Sequence, residues 1–192
     1  MKSGRVSTWF LFIGILVSLI SFCLAFLKIN NWHFPAVIGV WFIFDYIASL
    51  KYNTTLSIFF NNKKKFFQLY LVMLFLGCSI EGIGRFILNY WNYPFGNYIG
   101  YEFLLILFYP FILFSFREMY QSIKIASDKF AFIISLILGI IIWEGPNMIS
   151  RDWVYTVPLS SIKLLNLELI VIIGWLPMLW LVLFLYKSLE IK

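Results

Sequence analysis

The sequence predicts an all-α, polytopic integral membrane protein whose six transmembrane helices form two or three parallel hairpin repeats. Hydrophobic residues make up 62% of the 192-residue chain and charged residues only 12%, which lies far outside the range of soluble globular proteins. The apolar residues come in long runs, as in helices that cross a bilayer. A single transmembrane domain, residues 1–192, is therefore expected, with hairpins at roughly 1–62, 63–125 and 126–192.

The apolar runs predict the spans in order along the chain. They lie at roughly 8–27, 35–50, 66–88, 99–116, 130–145 and 164–186. The first run follows Lys2 and Arg5 as a signal peptide would, but it is long enough to span and no A-x-A-like cleavage site follows. We interpret it as a transmembrane helix. The second and fifth runs are short, and we expect them to tilt little or to be extended by loop residues.

The distribution of basic residues predicts the orientation. One set of ends and loops carries eleven Lys and Arg residues and the opposite set four, namely Lys28, Arg85, Arg151 and Lys163. Because basic loops stay in the cytoplasm, both termini are expected there, in a multi-pass protein of the cell membrane. The net charge of +6 is explained by topology and by contact with anionic lipid, so we expect no nucleic-acid partner.

Several classes of site are not expected. The two cysteines, Cys23 and Cys78, lie inside apolar runs and form no disulfide framework or metal-ligand spacing. With a single histidine, His33, a histidine-rich metal or haem site is not expected. No phosphate-binding glycine loop, nucleophile elbow or paired-aspartate motif occurs. We therefore predict neither a metal nor a cofactor.

A duplicated set of signals marks the second and third hairpins. In each copy a Glu-Gly pair is followed by a Trp-x-Tyr triplet and a second glutamate: Glu81, Trp91, Tyr93 and Glu102, then Glu144, Trp153, Tyr155 and Glu168. The offset is 63 residues at the first glutamates and 62 at the tryptophans. A two-helix repeat keeps its orientation, so both sets are expected at the outer face. Residues 32–35, Trp-His-Phe-Pro, suggest a fainter third copy.

Glu144 is predicted to be a catalytic acid, with Glu81 and Asp45 assisting it. Carboxyls at one depth repel each other when all are ionised, so at least one is expected to stay protonated and serve as a general acid. Arg85 lies one helical turn from Glu81 and can pair with it, whereas no basic residue lies four positions from Glu144. Asn147 is predicted to orient Glu144 or a ligand if the helix continues past Pro146.

Three further acids complete the predicted site. Asp45 lies near the middle of the short second span, and an intramembrane acid is a functional candidate by default. Its alternative role is a hydrogen bond to a neighbouring helix. Glu102 and Glu168 begin the fourth and sixth spans. They are candidate substrate contacts, or they simply reach the water of the lipid headgroups.

The aromatic residues of the triplets are predicted to line the site. Aromatic residues make up 21% of the chain. Most of their side chains are expected to face lipid or the membrane interface. Duplication singles out four of them as substrate-binding candidates: Trp91, Tyr93, Trp153 and Tyr155. Since aromatic faces stabilise cations, an acid beside an aromatic wall suits carbocation chemistry, and it suits an ordinary lipid-binding groove as well.

These motifs also carry a resemblance. Glu81-Gly82-Ile83-Gly84, followed by Tyr93-Pro94-Phe95-Gly96-Asn97-Tyr98, resembles a pattern of membrane carotenoid hydratases. The order acid, W-x-Y, acid is similar to the helical hairpins of membrane lycopene cyclases, although their P-x-E-E signature is absent. The resemblance covers roughly residues 77–177 and implies acid-type chemistry, without redox change, on long isoprenoid chains. The second half, from Trp143 to Pro158, also resembles uncharacterised prokaryotic membrane proteins.

The leading functional hypothesis is a membrane enzyme that modifies an isoprenoid or other lipid by cyclase-like or hydratase-like chemistry. The alternative is a non-catalytic integral membrane subunit or scaffold whose polar hairpin ends bind a protein partner, or which forms a homo-oligomer. A small transporter is disfavoured because the acids lie at one face rather than at the midplane.

Overall fold

The computed structural model describes residues 6–94, 99–124, 127–157, 163–164 and 167–189. Over these ranges the fold is all-α. Its helices are α1 Thr8–Phe26, α2 His33–Ser49, α3 Thr55–Asn61, α4 Lys63–Glu81, α5 Ile99–Ile123, α6 Asp128–Ser150 and α7 Leu169–Ser188. A π-helical segment, Gly82–Ile87, extends α4. The predicted signals at Lys2, Arg5, Phe95–Tyr98, Pro158 and Lys192 lie outside the described residues.

Two short antiparallel strand pairs, which the sequence did not predict, accompany the helices. β1 (Trp91–Asn92) pairs with β2 (Val154–Tyr155), and β3 (Lys163–Leu164) pairs with β4 (Leu167–Glu168). The first pair joins the connection that follows α4 to the connection that follows α6. It therefore links the two predicted repeat copies through their W-x-Y triplets.

The membrane class predicted from the sequence is confirmed. In the part of the chain that the structure describes, α1, α4 with its π-helical extension, α5, α6 and α7 are five helices long and apolar enough to cross a bilayer. The predicted span at 35–50 corresponds to α2, which is apolar but shorter, at 17 residues. Large apolar side chains on these helices are exposed, such as Trp9 at 72% and Phe75 at 75%, as expected of surfaces that meet lipid.

Two helices extend further than the apolar runs predicted. The fourth span is predicted to end at about residue 116, yet α5 continues to Ile123. Arg117 donates to Glu118 Oε1 at 2.6 Å, and the Thr55 amide donates to the same oxygen at 2.9 Å. Arg117 and Glu118 Oε1 thus have partners inside the protein. The fifth span was expected to end at 145, yet α6 passes through Pro146 and ends at Ser150.

Close helix packing organises the first hairpin. A Cβ atom at Gly14 would lie 2.9 Å from the carbonyl oxygen of Gly39. Glycine at both positions therefore lets the backbones of α1 and α2 touch, as small residues do in membrane helix pairs.

Three connections meet at one end of the helical bundle, which we call the hairpin tip: those between α1 and α2, α4 and α5, and α6 and α7. Asn31 N donates to Asp152 Oδ2 at 2.9 Å, and Trp32 Nε1 donates to Ser150 Oγ at 2.7 Å. These bonds join the first connection to the third, and the β1–β2 pair joins the second to the third. The tip therefore gathers the residues that the sequence singled out.

Candidate functional site

A cavity of about 470 Å³ lies beside the hairpin tip. Its wall is mainly apolar and includes the rings of Trp91, Tyr93, Trp143, Trp153, Tyr155 and Trp175. Among the lining residues that the structure describes, Glu144 supplies the one carboxyl group and His33 the one imidazole. The cavity thus combines an aromatic wall with two proton-transferring groups.

Glu144 lies near the end of α6 and is fully buried. Its Oε1 accepts hydrogen bonds from the Tyr155 hydroxyl at 2.6 Å and from Trp175 Nε1 at 3.1 Å. Its Oε2 has no hydrogen-bond partner among the described residues, and no described Lys, Arg or His pairs with it. Because a buried carboxylate without a cation is costly, the protonated form is favoured. Oε1 already accepts two hydrogen bonds, so the proton belongs on Oε2.

The second W-x-Y triplet supplies the donors to Glu144. Trp153 Nε1 donates to the Tyr155 hydroxyl at 3.1 Å, and that hydroxyl donates to Glu144. Burial, and then the nearby carboxyl of Glu144, raise the pKa of Tyr155 well above its usual value, so the phenol stays protonated and remains a donor. Side chains two apart on an extended segment share a face. This explains why the spacing W-x-Y brings both rings to the same carboxyl.

Asn147 holds the second triplet rather than Glu144 itself. Its Nδ2 donates to the Trp153 carbonyl at 3.0 Å, and the Trp153 amide donates to its Oδ1 at 3.1 Å. The helix does continue past Pro146, as the prediction required. It ends at Ser150, and the left-handed conformation of the next residue, Arg151 (φ 59°), turns the chain towards the triplet. Asn147 thus orients Trp153 directly, and it orients Tyr155 through the hydrogen bond that Trp153 donates.

In the first copy, Glu81 likewise accepts hydrogen bonds from the Trp and Tyr of its triplet, but a cation lies close to it. Glu81 Oε1 accepts from Trp91 Nε1, and Oε2 accepts from the Tyr93 hydroxyl, each at 3.3 Å. The expected pair with Arg85 is present at 3.8 Å, but Arg85 lies closer to Glu102, at 2.7 Å. Glu102 is therefore engaged in an ion pair. Glu81 is buried yet is not part of the cavity lining.

The two triplets face each other across the β1–β2 pair. Trp91 lies opposite Tyr155, and the central residues Asn92 and Val154 lie opposite each other. A local two-fold axis through that central pair exchanges one triplet with the other, because antiparallel strands are related in this way. The four aromatic residues Trp91, Tyr93, Trp153 and Tyr155 all line the cavity.

Asp45 lies apart from the cavity. It is fully buried twelve residues along α2 from His33, about 18 Å away by the rise of an α-helix. Its Oδ2 accepts from Thr55 Oγ1 at 2.8 Å and from the Leu56 amide at 2.9 Å. These bonds match the alternative role, a hydrogen bond to a neighbouring helix. Asp45 stabilises the start of α3 and is not brought together with Glu144 and Glu81.

Glu168 is placed only through its backbone, which pairs with Lys163 in the β3–β4 ladder. Its side chain lies outside the described residues. Its predicted contact with a substrate therefore stays a prediction.

Sequence reasoning missed three residues that the structure places at the site. Trp175, on α7, donates to Glu144. His33 Nδ1 lies 2.8 Å from Asp152 Oδ2, and both side chains are buried. The Trp-His-Phe-Pro segment of the faint third copy contained a signal for His33, and Asp152 directly precedes the second triplet. Nothing in the apolar pattern of α7 distinguishes Trp175.

Within the described residues, no group of three or more His, Cys, Asp or Glu side chains could hold a metal ion. Comparisons with protein-family models, with curated proteins and with solved structures found no match for this chain.

Proposed function

We propose that this protein is a membrane enzyme that modifies an isoprenoid or other unsaturated lipid by protonating a carbon–carbon double bond. Glu144 is the acid of this proposal. The observation that carries it is a carboxyl group in an aromatic cavity that has, among the described residues, one oxygen without a partner and no cation beside it. Buried polar atoms nearly always have partners, so Glu144 Oε2 is the position where a proton is available to a ligand.

The wall of the cavity suits the charge that such a reaction creates. Protonation of an alkene leaves a carbocation on the neighbouring carbon, and the faces of Trp and Tyr rings stabilise a nearby cation. Trp91, Trp153 and Trp175 all line the cavity with Glu144. A volume of about 470 Å³ suits a drug-sized ligand, and so one end of a longer isoprenoid chain.

The side of the cavity formed by α7 suits a ligand that arrives from the bilayer. Ile173 lines the cavity and is also 52% exposed. On a membrane-spanning helix this exposed surface meets lipid. A hydrophobic chain can therefore enter laterally without crossing water.

The remaining residues have supporting roles in this proposal. Tyr155 and Trp175 hold Glu144 Oε1, while Asn147 braces Trp153. Glu81 assists by holding Trp91 and Tyr93 in the cavity wall, and it is not itself the acid. Asp45 and Glu102 act through hydrogen bonds and an ion pair away from the lining.

We also propose six spans, with α2 as the sixth, in parallel hairpin repeats and with both termini in the cytoplasm. The facing triplets support the repeat, since a two-fold axis through Asn92 and Val154 would relate the α4–α5 hairpin to the α6–α7 hairpin. The eleven-to-four distribution of basic residues supports the orientation.

The experiment begins with the lipids that the purified protein retains, identified by mass spectrometry. The protein in lipid nanodiscs is then incubated in D2O with lycopene as an isoprenoid probe, and deuterium in the probe is measured. We expect a retained unsaturated lipid and incorporation of deuterium by the wild type. Glu144→Gln should bind the lipid yet incorporate deuterium at least about 100-fold more slowly, the usual contribution of a general acid.

Asp128→Asn is the matched control, because Asp128 is an exposed carboxylate paired with Lys124. It should behave like the wild type. Equal rates in Glu144→Gln and the wild type would exclude Glu144 as the acid. A cavity without lipid, together with co-purification of one membrane protein at fixed stoichiometry, would favour the non-catalytic subunit instead.

A further inference from the structure

The cavity contains a second proton-transferring group, held by the first hairpin. His33 begins α2, lines the cavity and is 4% exposed. Its Nδ1 lies 2.8 Å from Asp152 Oδ2, and the same oxygen accepts from the Asn31 amide at 2.9 Å. Its Nε2 is buried without a hydrogen-bond partner among the described residues.

This arrangement sets the tautomer of the imidazole ring. A carboxylate oxygen only accepts, so the ring nitrogen that faces Asp152 must donate. In the neutral ring, the proton therefore lies on Nδ1 and the lone pair on Nε2. The same use of a carboxylate to orient a histidine is common in catalytic sites.

The histidine and the acid are linked through one ring. The planes of His33 and Trp153 are 87° apart, with centroids at 5.8 Å. Trp153 in turn donates to the Tyr155 hydroxyl, which donates to Glu144. The imidazole and the carboxyl group thus belong to one connected wall. Among the described residues, His33 Nε2 and Glu144 Oε2 are the atoms of these two groups that have no hydrogen-bond partner.

We propose that His33 Nε2 is the proton acceptor of the reaction, oriented by Asp152 as a positioning residue. This inference rests on the proposed function and adds its second half. Glu144 Oε2 gives a proton to one alkene carbon, which forms a C–H bond and leaves a cation on the adjacent carbon. A C–H bond next to that cation then breaks. Its electron pair forms a new double bond, and the proton goes to Nε2.

One proton enters the substrate and one leaves it. The step needs no oxidant, reductant or added water, and its product is an isomer of the substrate, rearranged or cyclised. Proton transfer from the imidazolium back to Glu144, through solvent, restores the starting state. The largely apolar lining favours loss of a proton over capture of water.

His33 also joins two connections of the hairpin tip, so the test must separate proton acceptance from this structural role. His33→Asn keeps an amide donor near the position of Nδ1, and therefore the bond to Asp152, but removes Nε2. We expect it to fold and to bind the lycopene probe while isomer formation falls at least about 100-fold. Ser150→Ala is the matched control, because it removes the nearby bond from Trp32 and leaves Nε2 in place.

A second measurement needs no turnover. The chain has one histidine, so protein labelled with ¹⁵N-histidine and purified with a histidine-free tag gives one pair of ring signals. At about pH 8.5, where an ordinary imidazole is neutral, we expect a protonated Nδ1 and an unprotonated Nε2. Asp152→Ala should lose this preference and give a mixture of tautomers.

The outcomes are distinct. A proton on Nε2 in the neutral ring, a normal rate in His33→Asn, or a product that has gained water would each overturn the inference. None of these affects Glu144 as the acid. No incorporation of deuterium by the wild type would overturn the proposed function and the catalytic role of His33 together, even with an unprotonated Nε2.

Discussion

The two copies of the glutamate and W-x-Y motif differ in how their acid is balanced. In the first copy, Glu81 has Arg85 at 3.8 Å, and Arg85 binds Glu102 more closely. In the second copy, Glu144 has no described cation and receives a further donor, Trp175, from α7. Each copy thus holds its glutamate near the end of a helix and beside a W-x-Y triplet. In the first copy a cation lies beside the carboxyl group, and in the second copy no described cation does.

This difference shows that the same sequence motif can place its acid in two different surroundings. The first copy uses its acid to fix Trp91 and Tyr93 in a wall, and the ion pair with Glu102 ties α4 to α5. The second copy leaves one oxygen of Glu144 unpartnered at the cavity. The two motifs hold their acids at equivalent positions, and under the proposed function the surroundings of each acid determine which one can transfer a proton.

The largest effect is expected when the cation of the first copy, Arg85, is removed. Arg85→Met removes the cation that pairs with Glu81 and Glu102. We expect a loss of about 2–4 kcal/mol in the free energy of unfolding, near the range for a broken buried pair and reduced because the Glu102 side chain is 33% exposed. Unfolding of the purified protein in mixed detergent micelles measures it.

Lys124→Met is the control for Arg85→Met. It breaks an exposed pair with Asp128, whose side chain is 68% exposed, and should cost less than about 1 kcal/mol. If both variants lose the same small amount of stability, the first copy is not held by its ion pair, and the asymmetry between the copies disappears.

A smaller test compares the tyrosine donors. The Tyr155 hydroxyl donates to Glu144 at 2.6 Å, and the Tyr93 hydroxyl to Glu81 at 3.3 Å. We expect Tyr155→Phe to cost about 1–2 kcal/mol of stability and Tyr93→Phe less than about 1 kcal/mol, because the first distance lies within the usual range of an O–H···O hydrogen bond and the second lies beyond it. The pair of variants is compared in the same unfolding assay. A larger loss of stability in Tyr93→Phe than in Tyr155→Phe would show that the first copy, and not the second, has the stronger hydrogen bond between tyrosine and glutamate.

The sequence predicted those parts of this molecule that depend on local pattern. Apolar runs gave the helices, because the length of a span is set by the thickness of the bilayer. The contacts of Glu81 with Tyr93 and of Glu144 with Tyr155 span only 12 and 11 residues. The repeated spacing was therefore enough to associate each acid with its own triplet.

Other features depend on contacts between distant residues, and no local pattern reports them. The end of α5 was placed too early because Arg117 and Glu118 find partners about 64 residues away, at Asn53 and Thr55. His33 and Asp152 are 119 residues apart. Their pairing follows from the meeting of the first and third connections at the hairpin tip, which depends on how the helices pack.

The smallest expected effect concerns the glycines that follow the two acids. A Cβ atom at Gly82 or Gly145 would meet no atom within 4 Å. Alanine at either place should leave stability unchanged or raise it by up to about 1 kcal/mol, the gain in helix propensity. Gly84→Ala is the contrasting control, since its Cβ would overlap the Trp91 ring, and a loss of about 1–3 kcal/mol is expected from overpacking. Thermal unfolding of the three variants decides, because a loss at Gly145 but not at Gly82 would show that the copies differ in backbone packing as well as in charge.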